Sequence, residues 1–484
     1  MPACYGDRGL SATAWRRESA WRRHHRCADG RNGVQSGHRK CGRSSEPTWL
    51  TNPVTCDTQC IASLEGIHVK HETTVRIIKE LMSQLDENRN IDAGVQYRLP
   101  TSDYVCPDLA GREWKAFFRE HPQLIGLSGD LPDAGSFFTI DDFGVPVLAT
   151  RSKDGQFRAF LNACRHRGAR VAQEPKGKAA RFTCPFHSWT YANDGRLLAV
   201  PDADHFGPVD KDCMGLIELP AAEVAGLLFV HPQPNGKLDI EALLGPELLE
   251  ELEGWNFSEY LRVANLDIEM KLNWKLANDT FGETYHFAKL HKNTLGHVFY
   301  GNNLALEEFG RNHRFVTASK MIDGLRNMPE EEWTITPATF VLYYLFPNIQ
   351  AVCVSTGMNM ARIYPDPDNP GRSITRVAGY FNPKAMAIYE KEKSFNPDSA
   401  NLLTSEEFYS RTSDTSLVRT PETTVEAFSS TVSAEDYVMG EHQQIAAASG
   451  MLEYSTFGRN EAALHHFHSS YREALGRSPL EKVS

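Results

Sequence analysis

Two short loops constrain this chain more than any other feature: Cys164-Arg165-His166 and, after seventeen residues, Cys184-Pro185-Phe186-His187. Each pairs a thiolate donor with an imidazole. Four such ligands suit a two-iron cluster held by two Cys on one iron and two His on the other. A Cys2His2 zinc site usually groups its cysteines and its histidines separately, so the mixed pairing argues against zinc. The fold must bring the two loops together and shield the sulfurs. Gly168 and Pro185 shape the loops, and Phe186, Trp189 and Tyr191 are the candidate apolar cover.

The flanking sequence reads as strands. Residues 146–150 and 157–161 are apolar runs on either side of the turn signal Asp154-Gly155 and lead into the first loop. Asn193-Asp194-Gly195-Arg196 is a second hairpin signal just after the other loop.

A second constellation lies about one hundred residues downstream. Leu266, Ile268, Met270 and Leu272 alternate with polar residues, as in a half-buried strand. Asn273 then opens a helical pattern that runs to His291, and on one helix Asp279, Glu283 and His286 share a face. His291 falls roughly 140° from His286, so both can serve one metal only if the helix ends or distorts between them. Taken alone, the segment reads first as a solvated acidic face with two incidental histidines.

The segments 162–168 (Asn-Ala-Cys-Arg-His-Arg-Gly) and 184–189 (Cys-Pro-Phe-His-Ser-Trp) resemble the cluster loops of Rieske non-haem iron oxygenases, in the large terminal (alpha) subunits of the aromatic-ring-hydroxylating dioxygenases. The cysteines that form a disulfide in cytochrome-complex Rieske proteins are missing from these loops, which argues against simple electron transfer. Asn273-Trp274-Lys275 followed by Glu283-x2-His286-x4-His291 resembles the same family's iron signature. By position, the resemblance implies His286 and His291 as ligands of a mononuclear Fe(II), with Glu283 linking iron and cluster, and a [2Fe-2S] centre on Cys164, His166, Cys184 and His187. Such sites need two His and one carboxylate. Asp436, in a stretch resembling the family's late Glu-Asp helix, is the candidate third ligand, with Glu435 and Glu441 as alternatives. Two departures stand out: the linking acid is usually Asp, and Asp279 stands where aromatic-ring dioxygenases often carry Asn. A second carboxylate there is a candidate to bind substrate or water. Resemblance extends to Phe346-Pro347-Asn348, to Phe457-Gly458-Arg459-Asn460-Glu461 and to the Leu464-His465-His466-Phe467-His468 run. Those late histidines are assigned surface or packing roles, and His205, His297 and His313 receive no catalytic role.

The implied fold class is α+β: a small all-β Rieske domain at 125–240 and a mononuclear-iron catalytic domain at 241–484. A helical segment at 71–124, carrying the amphipathic pattern Val75, Ile77, Ile78, Leu81, Met82 and Leu85, leads into the catalytic body. Strands at 338–346 and 358–364 suggest an antiparallel sheet packed against the iron-bearing helix. Residues 391–425, rich in Ser, Thr, Asn, Asp and Glu, read as a polar connection or lid. The first seventy residues hold five of the ten Cys and eleven Lys or Arg against six Asp or Glu, so they carry +5 and leave −16 for the rest. They fit a targeting peptide poorly and read as a disordered extension, translated from upstream of the protein's own start.

At −11 overall, with no basic aromatic-lined patch, the chain is a poor nucleic-acid binder. It has no run of eighteen apolar residues that would span a membrane. The cytoplasm is the default compartment, because few cysteines remain and two of them are cluster candidates. The resemblance implies a terminal oxygenase that hydroxylates an organic substrate with O2, aromatic compounds leading. Monooxygenation or N-dealkylation of a quaternary-ammonium substrate is the alternative, and a Rieske electron-transfer protein is the alternative from another class. Electrons would come from NAD(P)H through a flavin reductase, a ferredoxin or both, since the chain shows no strand-GxGxxG-helix signature of its own. A homotrimer, with or without a small beta subunit, is the implied assembly.

Overall fold

The computed structural model describes residues 69–395, 405–410 and 420–483. The disordered-extension reading of 1–70 therefore lies outside the described residues, apart from Val69 and Lys70.

The cluster region is built on short antiparallel strands. Val147–Arg151 pairs with Phe157–Leu161 around Gly155, whose φ of +82° suits glycine at this turn. These strands sit in a five-stranded sheet with Glu218–Leu219 at one edge and Ser136–Ile140 and Lys176–Lys178 toward the other. The second hairpin, Thr190–Ala192 with Leu197–Ala199, turns at Asn193–Arg196 and pairs outward with Arg181–Thr183. Phe137, Leu148, Phe160, Phe182, Trp189 and Tyr191 fill the space between the sheets. Two short helical turns, Ser128–Asp130 and Ala203–Phe206, interrupt the expected all-β character.

The remainder is organised by a seven-stranded antiparallel sheet in the order Leu261–Met270, Asn369–Phe381, Gly357–Asp366, Ile349–Val354, Thr339–Leu345, Asn312–Ala318, Ala305–Phe309. Its inner strands are buried almost end to end, as befits a sheet covered on both faces. The helix Trp274–Asp279 packs on the strands Gly357–Asp366 and Asn369–Phe381. Asn273 caps it: its side chain accepts the amide of Lys275 at 2.9 Å and donates to the carbonyls of Pro370 and Tyr104 at 2.7 and 3.1 Å. Inside, Glu113 receives Trp274 Nε1 at 2.7 Å and Lys275 Nζ at 2.5 Å, both partners of the ion pair being 1% exposed. Losing one partner would strand a buried charge, at a cost of about 3–5 kcal/mol. Glu113 belongs to the segment before the cluster region, so chain from both sides of that region builds one core.

The amphipathic helix forms at His71–Asp86, burying Ile77, Ile78 and Leu81. Two expectations need correction. The 391–425 stretch is not simply a polar connection: among its described residues, Ser405–Ser410 and the start of Pro421–Thr431 are helical. Val425 is fully buried against Gly379, where any Cβ would collide with it, so one apolar contact fixes a helix that its Ser and Thr content disguises. The pattern through His291 also breaks early, because the helix ends at Asp279.

Candidate metal centres

Two loops assemble the first site. Asn162, 1% exposed, accepts the amides of Val171 and Ala172 at 3.1 and 3.0 Å and donates to the Ala172 carbonyl, closing the first loop. Gly168, at φ +78°, turns it back so that its amide reaches the Cys164 carbonyl. In the second loop the Cys184 amide meets the Trp189 carbonyl at 2.8 Å. Cys164 and Cys184 are buried free thiols, while the His166 and His187 rings lie 4.5 Å apart. Nδ1 of both histidines is buried without a partner. Two thiols and two orphaned nitrogens are the donor set of a [2Fe-2S] cluster, and orphaned buried nitrogens call for a ligand. Burial, then the charges of Arg167 and His166, hold His187 below its ordinary pKa and favour the neutral imidazole that ligation requires.

The cover differs from expectation. Trp189 stacks on His166 with centroids 5.2 Å apart, and the Tyr191 hydroxyl lies 3.3 Å from Cys164 Sγ while accepting the Arg165 amide. Phe186 instead points outward, 56% exposed, under the Arg167 guanidinium, which also lies 3.0 Å from His187 Nε2.

The second site depends on the early helix end. After Asp279 the backbone makes tight turns, with the Phe281 amide bonded to Asn278 and that of Gly282 to Asp279. A Cβ on Gly282 would run into Leu464, so glycine lets the turn pass beneath the C-terminal helix. A single helical turn then bonds the Leu290 amide to the His286 carbonyl and that of His291 to Phe287. The break falls before Glu283 and not between the two histidines, so the one-face helix argument does not describe this segment. His286 Nε2 and His291 Nε2 lie 3.1 Å apart, and Asp436 Oδ1 is 3.3 and 3.2 Å from them.

Asp436 ends a π-helical turn, Val432–Asp436, between the helices Pro421–Thr431 and Tyr437–Ala448. The wider turn lets neighbouring acids serve both histidines. Glu435 lies 2.8 Å from His291 Nδ1 and receives Thr294 Oγ1 at 3.0 Å, and Glu283 takes the matching bond from His286 Nδ1. Both Nδ1 atoms are thus committed to carboxylates, which leaves two Nε2 lone pairs and a carboxylate oxygen facing one point, as a metal would need. Glu441, the other alternative ligand, accepts the Lys271 amide instead. Despite burial, the carboxylates of Asp436 and Glu283 hold His286 above its ordinary pKa.

Each oxygen of Asp279 has a protein partner. Its Oδ2 accepts the Tyr104 hydroxyl at 2.7 Å and its Oδ1 faces His468 Nε2 at 2.8 Å. His465, His466 and His468 are all buried, which excludes the surface half of their assignment. The sequence reading missed Tyr104 and Thr294, whose partners are distant in the chain, and took Tyr191 only as apolar cover, without its hydroxyl's contacts to Cys164 and Arg165. It named Glu435, but as an alternative ligand.

Residues 121–218 match the family model of the Rieske [2Fe-2S] domain, and 257–477 match that of the ring hydroxylating alpha subunit catalytic domain. The chain is 31% identical over 201 residues to a glycine betaine monooxygenase oxygenase subunit of Chromohalobacter salexigens, covering 41% of this chain and 44% of that protein. It is 30% identical over 251 residues to the alpha subunit of toluate 1,2-dioxygenase of Pseudomonas putida, covering 48% and 51%. The chain spans about half the length of the curated relatives it matches. Among solved structures, a quaternary ammonium Rieske monooxygenase in complex with L-carnitine superposes with TM-score 0.61 at 19% identity, over 80% of this chain and 97% of that one. Naphthalene 1,2-dioxygenase from Rhodococcus sp. bound to indole does so with TM-score 0.56 at 18% identity, over 83% and 98%. At these identities the superpositions speak for the fold.

Proposed function

We propose that this chain, a member of the Rieske non-haem iron oxygenase large subunits, is a terminal oxygenase that inserts oxygen into an organic substrate with electrons supplied by a reductase. The observation that carries this is the convergence of His286, His291 and Asp436, with both distal nitrogens tied to carboxylates, in the same chain as a two-Cys, two-His cluster pocket. In this reading Cys164, Cys184, His166 and His187 hold the cluster, and His286, His291 and Asp436 hold the iron. Bound there, the cluster would supply stored single electrons and the Fe(II) the activation of O2. Glu283 and Glu435 fix the imidazole tautomers.

The substrate we favour carries a quaternary ammonium. Glu283, Glu435 and Asp436 gather at the centre, and such acidic surroundings suit a cation better than an aromatic acid. The glycine betaine relative supports this choice. Hydroxylating the carbon beside the cationic nitrogen consumes O2, two electrons and two protons and yields water. The carbinol then collapses, the C–N bond breaking to give a tertiary amine, an aldehyde and a proton. The toluate relative favours aromatic dioxygenation, and a role in aromatic catabolism, as the second reading.

Other features belong to the same proposal: a flavin reductase or ferredoxin as donor, a cytoplasmic location, and a homotrimer, with or without a small beta subunit, in which Glu283 meets His187 of the next subunit. No helix of the described residues is long and apolar enough to cross a membrane. The test is reconstitution with iron, sulfide and a reductase, followed by product analysis. Aldehyde and tertiary amine in proportion to O2 consumed support the first reading and a ring diol the second; O2 consumption independent of every substrate in both classes would refute both.

A further inference from the structure

The two histidines of the cluster pocket open on different surfaces. A groove of about 360 Å³ has the His166 ring as one wall and Trp189, Phe206, Val209 and Met214 as apolar lining, and His187, Phe186 and Arg167 take no part in it. Phe206, 49% exposed, sets its ring edge-on to His166 at 5.2 Å and to Trp189 at 5.4 Å. The stretch 202–214, which supplies much of this lining, carries Asp202, Asp204, Asp210 and Asp212, all exposed, against Lys211. Arg165 also lines the groove. His187 instead meets a cation, with Arg167 Nη2 at 3.0 Å from its Nε2. An apolar centre within a charged rim is the anatomy of a protein interface.

In the assembly proposed above, His187 is the histidine that meets the next subunit, which leaves the His166 groove for the protein that delivers electrons. We propose that this groove is the docking site of the electron donor, and that the donor is a one-electron carrier with a basic surface around its redox centre. A partner seated on Phe206 and Trp189 comes into contact with the ring of a cluster ligand, the short approach that electron transfer requires. The four aspartates attract a cationic partner and repel an acidic one. Each encounter oxidises the carrier by one electron and reduces the cluster by one, and two encounters serve one O2. The inference rests on the oxygenase reading and on its assembly.

Two probes serve the test: cytochrome c, basic around its haem edge, and a plant-type ferredoxin, which is acidic. The first readout is isothermal titration of the oxidised protein with oxidised cytochrome c, in which no electron moves. Cytochrome c should bind with an affinity that falls as salt rises, and Asp204→Lys combined with Asp212→Lys should weaken it about tenfold. Phe206→Ala should weaken it severalfold without changing the salt dependence, and Arg167→Glu should leave it within about twofold. The second readout is the stopped-flow rate of electron transfer. From the reduced cluster to cytochrome c it should fall in the same variants, and from reduced ferredoxin to the cluster it should rise once the two aspartates are lysines. Binding that ignores the groove variants, or that responds as strongly to Arg167→Glu, overturns the proposal. A ferredoxin rate untouched by the charge reversal does so too. An oligomer that dissociates in Phe206→Ala makes the occupant a second copy of this chain and overturns it likewise. Should Phe206→Ala lose the Rieske EPR signal, the two exposed charge variants decide. A wild type without that signal fails the oxygenase reading instead, and the titration still decides whether the groove binds a basic protein.

Discussion

Glu435 Oε2 lies 2.8 Å from Nδ1 of His291, on the side of the ring away from the metal-facing nitrogen. This contact fixes which nitrogen carries the hydrogen. Glu435→Gln should therefore lower iron affinity by about 10- to 100-fold, as removing such a partner typically does, while the cluster spectrum stays unchanged. Iron titration of the apoprotein measures it, and wild-type affinity would contradict the role.

Asp436 stands 3.2–3.3 Å from both Nε2 atoms and has no substitute within the same geometry, since Glu435 is already engaged. Asp436→Ala should leave the cluster's EPR signal intact and deplete mononuclear iron and product together. Full iron occupancy with normal turnover would move the ligand role to another carboxylate.

Glu283 holds His286 from behind and is the proposed link to His187 of a neighbouring subunit. Glu283→Gln keeps the volume but removes the negative acceptor, so both metals should remain while cluster reoxidation slows by at least about tenfold. Stopped-flow reoxidation with substrate and O2 isolates the step; a wild-type rate in the fully metallated variant would remove Glu283 from the path.

The Tyr191 hydroxyl contacts Cys164 Sγ at 3.3 Å and would donate to a cluster thiolate there. Hydrogen bonds to the ligating sulfurs stabilise the reduced cluster, so Tyr191→Phe should lower its potential by tens of millivolts without loss of the cluster. Redox titration by EPR reads this directly, and an unchanged potential would mean that the hydroxyl donates elsewhere.

His313 Nδ1 meets His466 Nδ1 at 2.9 Å in the core, and His466 Nε2 faces the Gly310 carbonyl. Burial, then the His466 charge, puts His313 well below its ordinary pKa. The stability it protects is full above the unfolded-state value and is lost as pH falls below about 6.5, at up to about 1.4 kcal/mol per pH unit, because only the unfolded chain takes the proton. Denaturant melts between about pH 7.5 and about pH 5 should show a shallower loss in His313→Asn; an equal slope would place the titration elsewhere.

Local sequence was enough wherever a short stretch contained its own cause. The cluster loops carry their four ligands within 24 residues, the turns at Asp154-Gly155 and Asn193–Arg196 carry their turn chemistry, and the strands carry their alternation. Tertiary structure decided what depends on a distant surface. The helix stops at Asp279, and the chain beyond it passes under Leu464, more than 180 residues away, through the gap that Gly282 leaves. Asp279 reads in sequence as a lone carboxylate, and the fold gives its two oxygens partners at Tyr104 and His468. Phe186 turned outward, while Trp189 stacks on His166 and Tyr191 meets the Cys164 sulfur. The π-helical turn at Val432–Asp436, which sets Asp436 beside both histidines, has no local signature in the sequence. Sequence by itself determined which donor atoms the chain owns and how they pair along it. Only packing between segments far apart in the chain decided which donors converge, because a carboxylate's partner is set by what lies across the core and not by its neighbours in sequence.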